Sequence, residues 1–146
     1  MKPKQRSKSR RYVLQALYQW QLSGNAAQEI EVQYVKSMKS EPADEPFFLA
    51  LFRGIISCCE SLDAEIQLFL DRKLAELTPI ELNILRIGTY ELLHCLEIPY
   101  RVVINEALEL TKLFGSTDDG FKYVNGVLDK IARKCRQIEI NLNLAK

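Results

Sequence analysis

The first eleven residues form a basic arm that carries cations and no acid. The cations are Lys2, Lys4, Arg6, Lys8, Arg10 and Arg11. Clustered cations neutralise phosphates and release counterions, which gives affinity for nucleic acid with little reading of base sequence. The alternative is a solvated tail that only aids solubility. We predict a phosphate-binding arm over residues 1–11, in which the nucleic-acid contacts are Lys2, Lys4, Arg6, Lys8 and Arg10.

Two tyrosines, Tyr18 and Tyr123, could bind single-stranded RNA, because splayed bases stack on aromatic faces. The alternative is that both rings pack in the core or at its rim, the commoner position of tyrosine on an amphipathic helix. Polar side chains beside Tyr123 could hydrogen-bond to bases, although an aspartate there could instead cap a helix. The candidates are Asp118, Asp119, Lys122 and Asn125. Asn125 fits a packing or capping role equally well.

The rest of the chain is acidic, since its 14 basic residues face 19 acidic ones. An acidic body steers the approach of a basic protein partner. Glu76 and Glu81, near the start of a predicted central helix, are candidates for contacting such a partner. Glu81 has a structural alternative, because Thr78-Pro79-Ile80-Glu81 is a capping box that starts a helix.

Nothing in the remaining residues indicates catalysis. Asn105, Glu106 and Glu109 invite an acid–base interpretation, but such a pair needs a cleft that perturbs its groups. Glu109 and Lys112 are three residues apart, which fits a surface ion pair. The four cysteines and the single histidine lack the spacing of a zinc site. We predict no enzymatic activity, no metal and no cofactor.

The elements that carry these residues are all predicted to be helical, because apolar residues recur at three- and four-residue spacing. We predict about seven helices and no strand. The first covers residues 6–22, and Thr117, Asp118 or Asp119 can cap the last. The predicted organisation is a basic arm over 1–11, a helical domain over 12–140 and a tail over 141–146. Free cysteines and the lack of an export signal or a long apolar run predict a cytoplasmic protein without a membrane span.

Four segments resemble the bacterial NusB family of transcription antitermination proteins. They are RRYVLQALYQW (10–20), LRIGTYELL (85–93), PYRVVINEALELTKLFG (99–115) and YVNGVLDK (123–130). The resemblance implies a fold of two packed helical bundles. It also implies binding to boxA RNA of ribosomal RNA leader transcripts, together with the ribosomal protein NusE, in an antitermination complex on RNA polymerase. A homodimer is compatible with the resemblance.

The chain departs from the family pattern at three places. Lysine and serine interleave with arginine in the arm, which reduces the number of bidentate phosphate contacts. The loop over 115–120 is one residue longer than in some members, so either Asp118 or Asp119 matches the family's acidic loop position. Tyr123 stands where many members have phenylalanine, and it keeps the stacking face.

Two other functions are compatible with parts of the sequence. Some ribosomal RNA cytosine methyltransferases carry a similar helical domain, but the chain up to Lys146 shows no glycine motif of a Rossmann-type catalytic domain. A helical interaction protein without an RNA role is the other alternative, and the basic arm argues against it. We therefore expect the arm to supply affinity, and Tyr18, Tyr123 and the turn over 117–122 to read the RNA.

Overall fold

Helix α1 (Pro3–Ser23) carries the basic arm and the first apolar stripe as one continuous element. It begins at a proline, which suits the first helical turn because no intrahelical acceptor exists there for an N–H group. It ends before Gly24, whose φ of +72° lies in the left-handed region that glycine adopts at low cost. The helix therefore starts at Pro3 rather than at residue 6, and the basic arm is helical from Pro3 onward.

The helices form two compact units, residues Met1–Cys58 and Cys59–Lys146. The computed structural model describes residues 3–115 and 117–144. The first unit holds α1, α2 (Ala27–Ser37) and α3 (Glu45–Ser57). The second holds α4 (Cys59–Gln67), a 3-10 turn (Leu74–Glu76), α5 (Pro79–His94), α6 (Tyr100–Leu113), α7 (Asp118–Cys135) and α8 (Gln137–Leu144). The prediction of an all-α fold with two helical bundles is confirmed, and these residues contain no strand.

The first unit closes around the apolar face of α1, which packs against α2 and α3. Leu14 and Leu17 are fully buried in that face. On α3, the rings of Phe48 and Phe52 stack with 5.7 Å between their centroids. Asp44 starts α3, because its Oδ1 accepts a hydrogen bond from the Phe47 N–H at 3.1 Å.

The second unit is built around α5, which is buried on most sides and packs against α4, α6 and α7. Its close approach to α7 depends on Gly88, where an added Cβ would lie 2.9 Å from both terminal methyls of Leu128. The predicted capping box starts the helix, since the Glu81 N–H donates to Thr78 Oγ1 at 3.1 Å. The prediction of a central apolar helix is confirmed within this unit.

Helix α8 is an element that the sequence did not predict, so the described residues contain eight α-helices rather than about seven. It takes in residues that we predicted as the end of the domain and the start of a tail. The reason is the buried side chain of Arg136, which precedes α8. Its guanidinium donates to the carbonyls of Leu92 at 2.8 Å and Ile98 at 2.9 Å. These bonds hold the chain against the end of α5, where helical carbonyls lack partners.

Over its described residues, the chain has no helix with both the length and the apolar character needed to span a membrane.

Candidate nucleic-acid interface

Three cations of the arm, Lys4, Lys8 and Arg11, lie along α1. Lys4 and Arg11 are exposed, and Lys8 is half-buried. Lys2, the remaining lysine of the predicted set, lies outside the described residues. Because these three side chains project from one helix, they form a row of cations along it. Such a row can follow a phosphate backbone.

Two of the three arginines of the arm have a different environment, because Arg6 and Arg10 both lie over the ring of Phe47. Their Cζ atoms are 4.5 Å and 4.9 Å from the ring centroid. The two residues are one turn apart and share a face of α1. Arg10 is only 3% exposed, so a contact between Arg10 and RNA, which stays a prediction, would require its guanidinium to leave Phe47.

The start of α3 fixes the arm in this position. Arg6 Nε lies 3.6 Å from Oδ2 of the buried Asp44. The Ser9 hydroxyl donates to the Asp44 carbonyl at 2.7 Å, and the Asp44 N–H donates to the Gln5 carbonyl at 3.3 Å. The arm is thus attached to the first unit by side-chain and backbone bonds along its length.

Tyr18 lies farther along α1, and 39% of its surface is exposed. The prediction that Tyr18 binds RNA therefore concerns a residue that RNA can reach.

The second group of candidates surrounds the start of α7. Thr117 is the N-cap, since its Oγ1 accepts a hydrogen bond from the Gly120 N–H at 3.0 Å. Of the three residues that could cap this helix, Thr117 does so, because its extended backbone places its hydroxyl at the free N–H groups. The capping role considered for the two aspartates is therefore wrong. Asp118 and Asp119 lie in the first turn, exposed, and neither is the N-cap.

Tyr123 belongs to a cluster with Asp71 and Arg72, which we call the Tyr123 cluster. The Tyr123 hydroxyl donates to Asp71 Oδ1 at 3.0 Å. Arg72 Nε donates to the same oxygen at 2.9 Å, and Arg72 Cζ lies 4.3 Å from the centroid of the Tyr123 ring. Hydrogen bonds from Arg72 and then Tyr123 lower the pKa of the Asp71 carboxyl. Partial burial, followed by the bond to Asp71, raises the pKa of the Tyr123 phenol.

Sequence reasoning missed Asp71 and Arg72. They lie about 50 positions before Tyr123 in the chain, and the loop that holds them carries no motif. Only tertiary packing brings a side chain of that loop over the ring. The other two polar candidates, Lys122 and Asn125, are exposed on α7.

The two candidate partner residues both hold local structure at the approach to α5. Glu76 Oε2 accepts a hydrogen bond from the Lys73 N–H at 2.9 Å. Glu81 Oε1 accepts one from the Thr78 N–H at 3.4 Å, which completes the capping box. Glu76 is exposed and Glu81 is half-buried. Their contact with a partner stays a prediction.

Asn105, Glu106 and Glu109, for which we predicted no catalytic role, lie on α6. Glu109 and Lys112 form the expected surface ion pair, with 3.5 Å between Oε1 and Nζ. Among residues 3–115 and 117–144, no three histidine, cysteine or carboxylate side chains converge in a way that could hold a metal ion.

The sequence matches a known protein family over most of its length. A profile of the NusB family matches residues 7–133. The chain belongs to the NusB family. It is 47% identical over 137 residues to the transcription antitermination protein NusB of Alcanivorax borkumensis, covering 94% of this chain and 91% of that protein. It is 51% identical over 132 residues to the protein of the same name from Nitrosomonas eutropha, covering 90% of this chain and 78% of that one.

Solved structures of NusB proteins share the fold. NusB of T. maritima has a TM-score of 0.76 at 32% identity, covering 88% of this chain and 90% of that one. A chain from the crystal structure of antitermination factors NusB and NusE in complex with dsRNA has a TM-score of 0.80 at 24% identity, covering 91% of this chain and 99% of that one. The resemblance to the NusB family is confirmed, and the family's members carry the name of a transcription antitermination protein, not of an enzyme.

Proposed function

We propose that this chain is a cytoplasmic transcription antitermination factor. In this proposal it binds boxA-type single-stranded RNA of ribosomal RNA leader transcripts together with the ribosomal protein NusE. The pair then joins an antitermination complex on RNA polymerase. The observation that carries the proposal is membership of the NusB family over residues 7–133, with relatives named transcription antitermination proteins.

The geometry supports RNA as the ligand in two ways. The exposed cations of α1 supply attraction to phosphates, which is independent of sequence. Tyr18 on α1 and Tyr123 on α7 supply partly exposed rings on which bases can stack. We assign the arm over 1–11 to phosphate binding and the helical domain over 12–140 to reading of the RNA.

The acidic character of the chain outside the arm supports a basic protein as the partner. Glu76 and Glu81, at the approach to α5, are the proposed contacts. A protein with the same fold was crystallised with NusE and double-stranded RNA. For this chain, the assembly with NusE is our proposal.

The experiment that tests the proposal measures binding of the full chain to a short boxA-type RNA, with and without purified NusE. We expect NusE to tighten RNA binding and a scrambled RNA to bind more weakly. Equal RNA affinities with and without NusE would remove the partner from the mechanism. The same assay with double-stranded boxA-type RNA tests which form of RNA the chain prefers. Tighter binding to the duplex would contradict the single-stranded assignment.

Sedimentation of the same sample without RNA measures the oligomeric state. It shows whether the chain is a monomer or a homodimer. A homodimer that dissociates when NusE is added would indicate that both partners use one surface.

A further inference from the structure

In the Tyr123 cluster, the tyrosine ring is held by more contacts than packing at the edge of the core requires. One carboxylate oxygen, Asp71 Oδ1, accepts hydrogen bonds from both the Tyr123 hydroxyl and Arg72 Nε. The Arg72 guanidinium covers one face of the ring at 4.3 Å. A tyrosine ring turns about two side-chain bonds, and these contacts hold the ring at its tip and on one face. The ring therefore has one preferred orientation before any ligand arrives.

The cluster does little for the fold. Asp71 and Arg72 are neighbours in the chain, and their side chains are 71% and 46% exposed. Ion pairs at that exposure contribute little to stability because water screens them. Asp71 is the one hydrogen-bond partner of the Arg72 guanidinium among the described residues. Stabilisation of the unit therefore does not explain why these groups meet at a half-buried ring.

Holding a ring in place favours stacking for a general reason. A side chain that is already ordered loses less conformational freedom when a ligand binds, so more of the contact energy appears as affinity. A cation over one face of an aromatic ring also occupies the site that a second base would need. Stacking of a base on Tyr123 is therefore confined to the face opposite Arg72.

We propose that Asp71 and Arg72 are positioning residues that orient the Tyr123 ring for stacking of one nucleobase on the face opposite Arg72. This inference rests on the proposed RNA-binding function. The tyrosine hydroxyl is part of the device, because a phenylalanine at position 123 would keep the face but lose the bond to Asp71.

The test uses the full chain and a short boxA-type RNA. The variants are Arg72→Ala, Arg72→Lys, Asp71→Asn, Tyr123→Phe, Tyr123→Ala and the double variant Arg72→Ala/Tyr123→Ala. We expect Arg72→Ala and Asp71→Asn each to weaken RNA binding about fivefold, with an unchanged thermal midpoint. Arg72→Lys keeps the charge but not the planar group, and we expect it to restore only part of the affinity. Tyr123→Phe should weaken binding less than Tyr123→Ala.

The double variant separates positioning from an independent phosphate contact. If Arg72 acts through the ring, Arg72→Ala should cost nothing further once Tyr123 is alanine. Lys73→Ala is the matched control, since Lys73 is an exposed cation in the same loop. We expect Lys73→Ala to change RNA affinity by less than about twofold and to act independently of Tyr123.

A spectroscopic readout tests the stacking itself. A fluorescent base analogue at each boxA position in turn is quenched where it stacks on Tyr123. At saturating protein, we expect Arg72→Ala to reduce that quenching, which a loss of affinity alone would not do.

The outcomes distinguish this inference from the proposed function. Suppose that the wild-type chain binds boxA-type RNA, and that Arg72→Ala and Asp71→Asn bind it with the same affinity and the same quenching. That result would overturn the inference and leave the proposed function standing. Additive losses in the double variant would make Arg72 a phosphate contact and overturn the positioning role. Failure of the wild-type chain to bind boxA-type RNA would overturn both.

Discussion

An arginine lies over an aromatic ring in both candidate regions, but the two contacts have opposite surroundings. On the arm, Arg10 covers Phe47 and is 3% exposed. In the Tyr123 cluster, Arg72 covers Tyr123 and its side chain is 46% exposed. Burial makes the first pair part of the fold, since a buried arginine also packs through its aliphatic stem. Exposure leaves the second pair accessible to a ligand.

The comparison shows that residue type and contact geometry do not decide the role of a cation here. Arg10 lies in the most basic stretch of the chain and packs inward, whereas Arg72 lies in a loop without a motif and faces solvent. Affinity from the arm should therefore come from Lys4, Lys8 and Arg11 more than from Arg10.

The largest effect is expected from removing the exposed cations of the arm. Lys4→Ala/Lys8→Ala/Arg11→Ala should weaken binding to boxA-type RNA on the order of 100-fold at low salt, because three phosphate contacts are lost. Fluorescence anisotropy measures this. Lys36→Ala/Lys39→Ala is the control, with exposed lysines at the end of α2 and in the turn after it. A comparable loss in the control would show that the arm has no special role.

Removing the ring of Tyr123 should have the next largest effect on RNA. Tyr123→Ala loses a stacking face, so affinity should fall by about 2 kcal/mol, a factor of about 30. The change leaves the charge of the chain intact. Unchanged affinity in a folded variant, checked by circular dichroism, would assign the ring to packing.

Replacing Arg10 should change stability before it changes RNA binding. Arg10→Ala removes one of the two arginines over Phe47, together with the other contacts of a buried polar group. The free energy of unfolding should therefore fall by about 1.5 kcal/mol. Urea denaturation measures the difference. Arg11→Ala, one position along and exposed, should leave stability unchanged. If Arg10→Ala is as stable as the wild type but binds RNA weakly, Arg10 is a direct RNA contact. Its role would then be in binding and not in the fold.

The smallest effect is expected at the cap of α7. Thr117→Ala leaves the Gly120 N–H without its hydroxyl acceptor and should cost about 1 kcal/mol of stability. Thr117→Ser keeps an acceptor and should recover most of that loss in thermal denaturation. Equal stability of the alanine and wild-type chains would return the capping role to Asp118 or Asp119.

Local signals in the sequence predicted the parts of the fold that depend on neighbours along the chain. The capping box at Thr78 and Glu81 and the apolar face of α1 follow from spacing alone. Helix α8 was missed because its position depends on Arg136, which binds carbonyls near the end of α5, about 40 residues earlier in the chain.

The same limit applies to the candidate site. Residue type identified Tyr123 as a stacking candidate, but its orientation depends on Asp71 and Arg72, which only tertiary packing brings to it. The burial of Arg10 was missed for a similar reason. The arm's charge is visible in the sequence, whereas the ring of Phe47 that covers the arginines belongs to α3.

The central claim is that the arm contributes phosphate attraction and the Tyr123 cluster contributes stacking. The most direct test is the salt dependence of RNA affinity, measured from about 50 to about 200 mM salt. The measurement compares the wild-type chain, the triple arm variant and Tyr123→Ala. We predict a steep fall for the wild type, a parallel weaker line for Tyr123→Ala, and a slope reduced by about 2 for the arm variant. A flat wild-type line, or equal slopes for the arm variant and the wild type, would contradict the account.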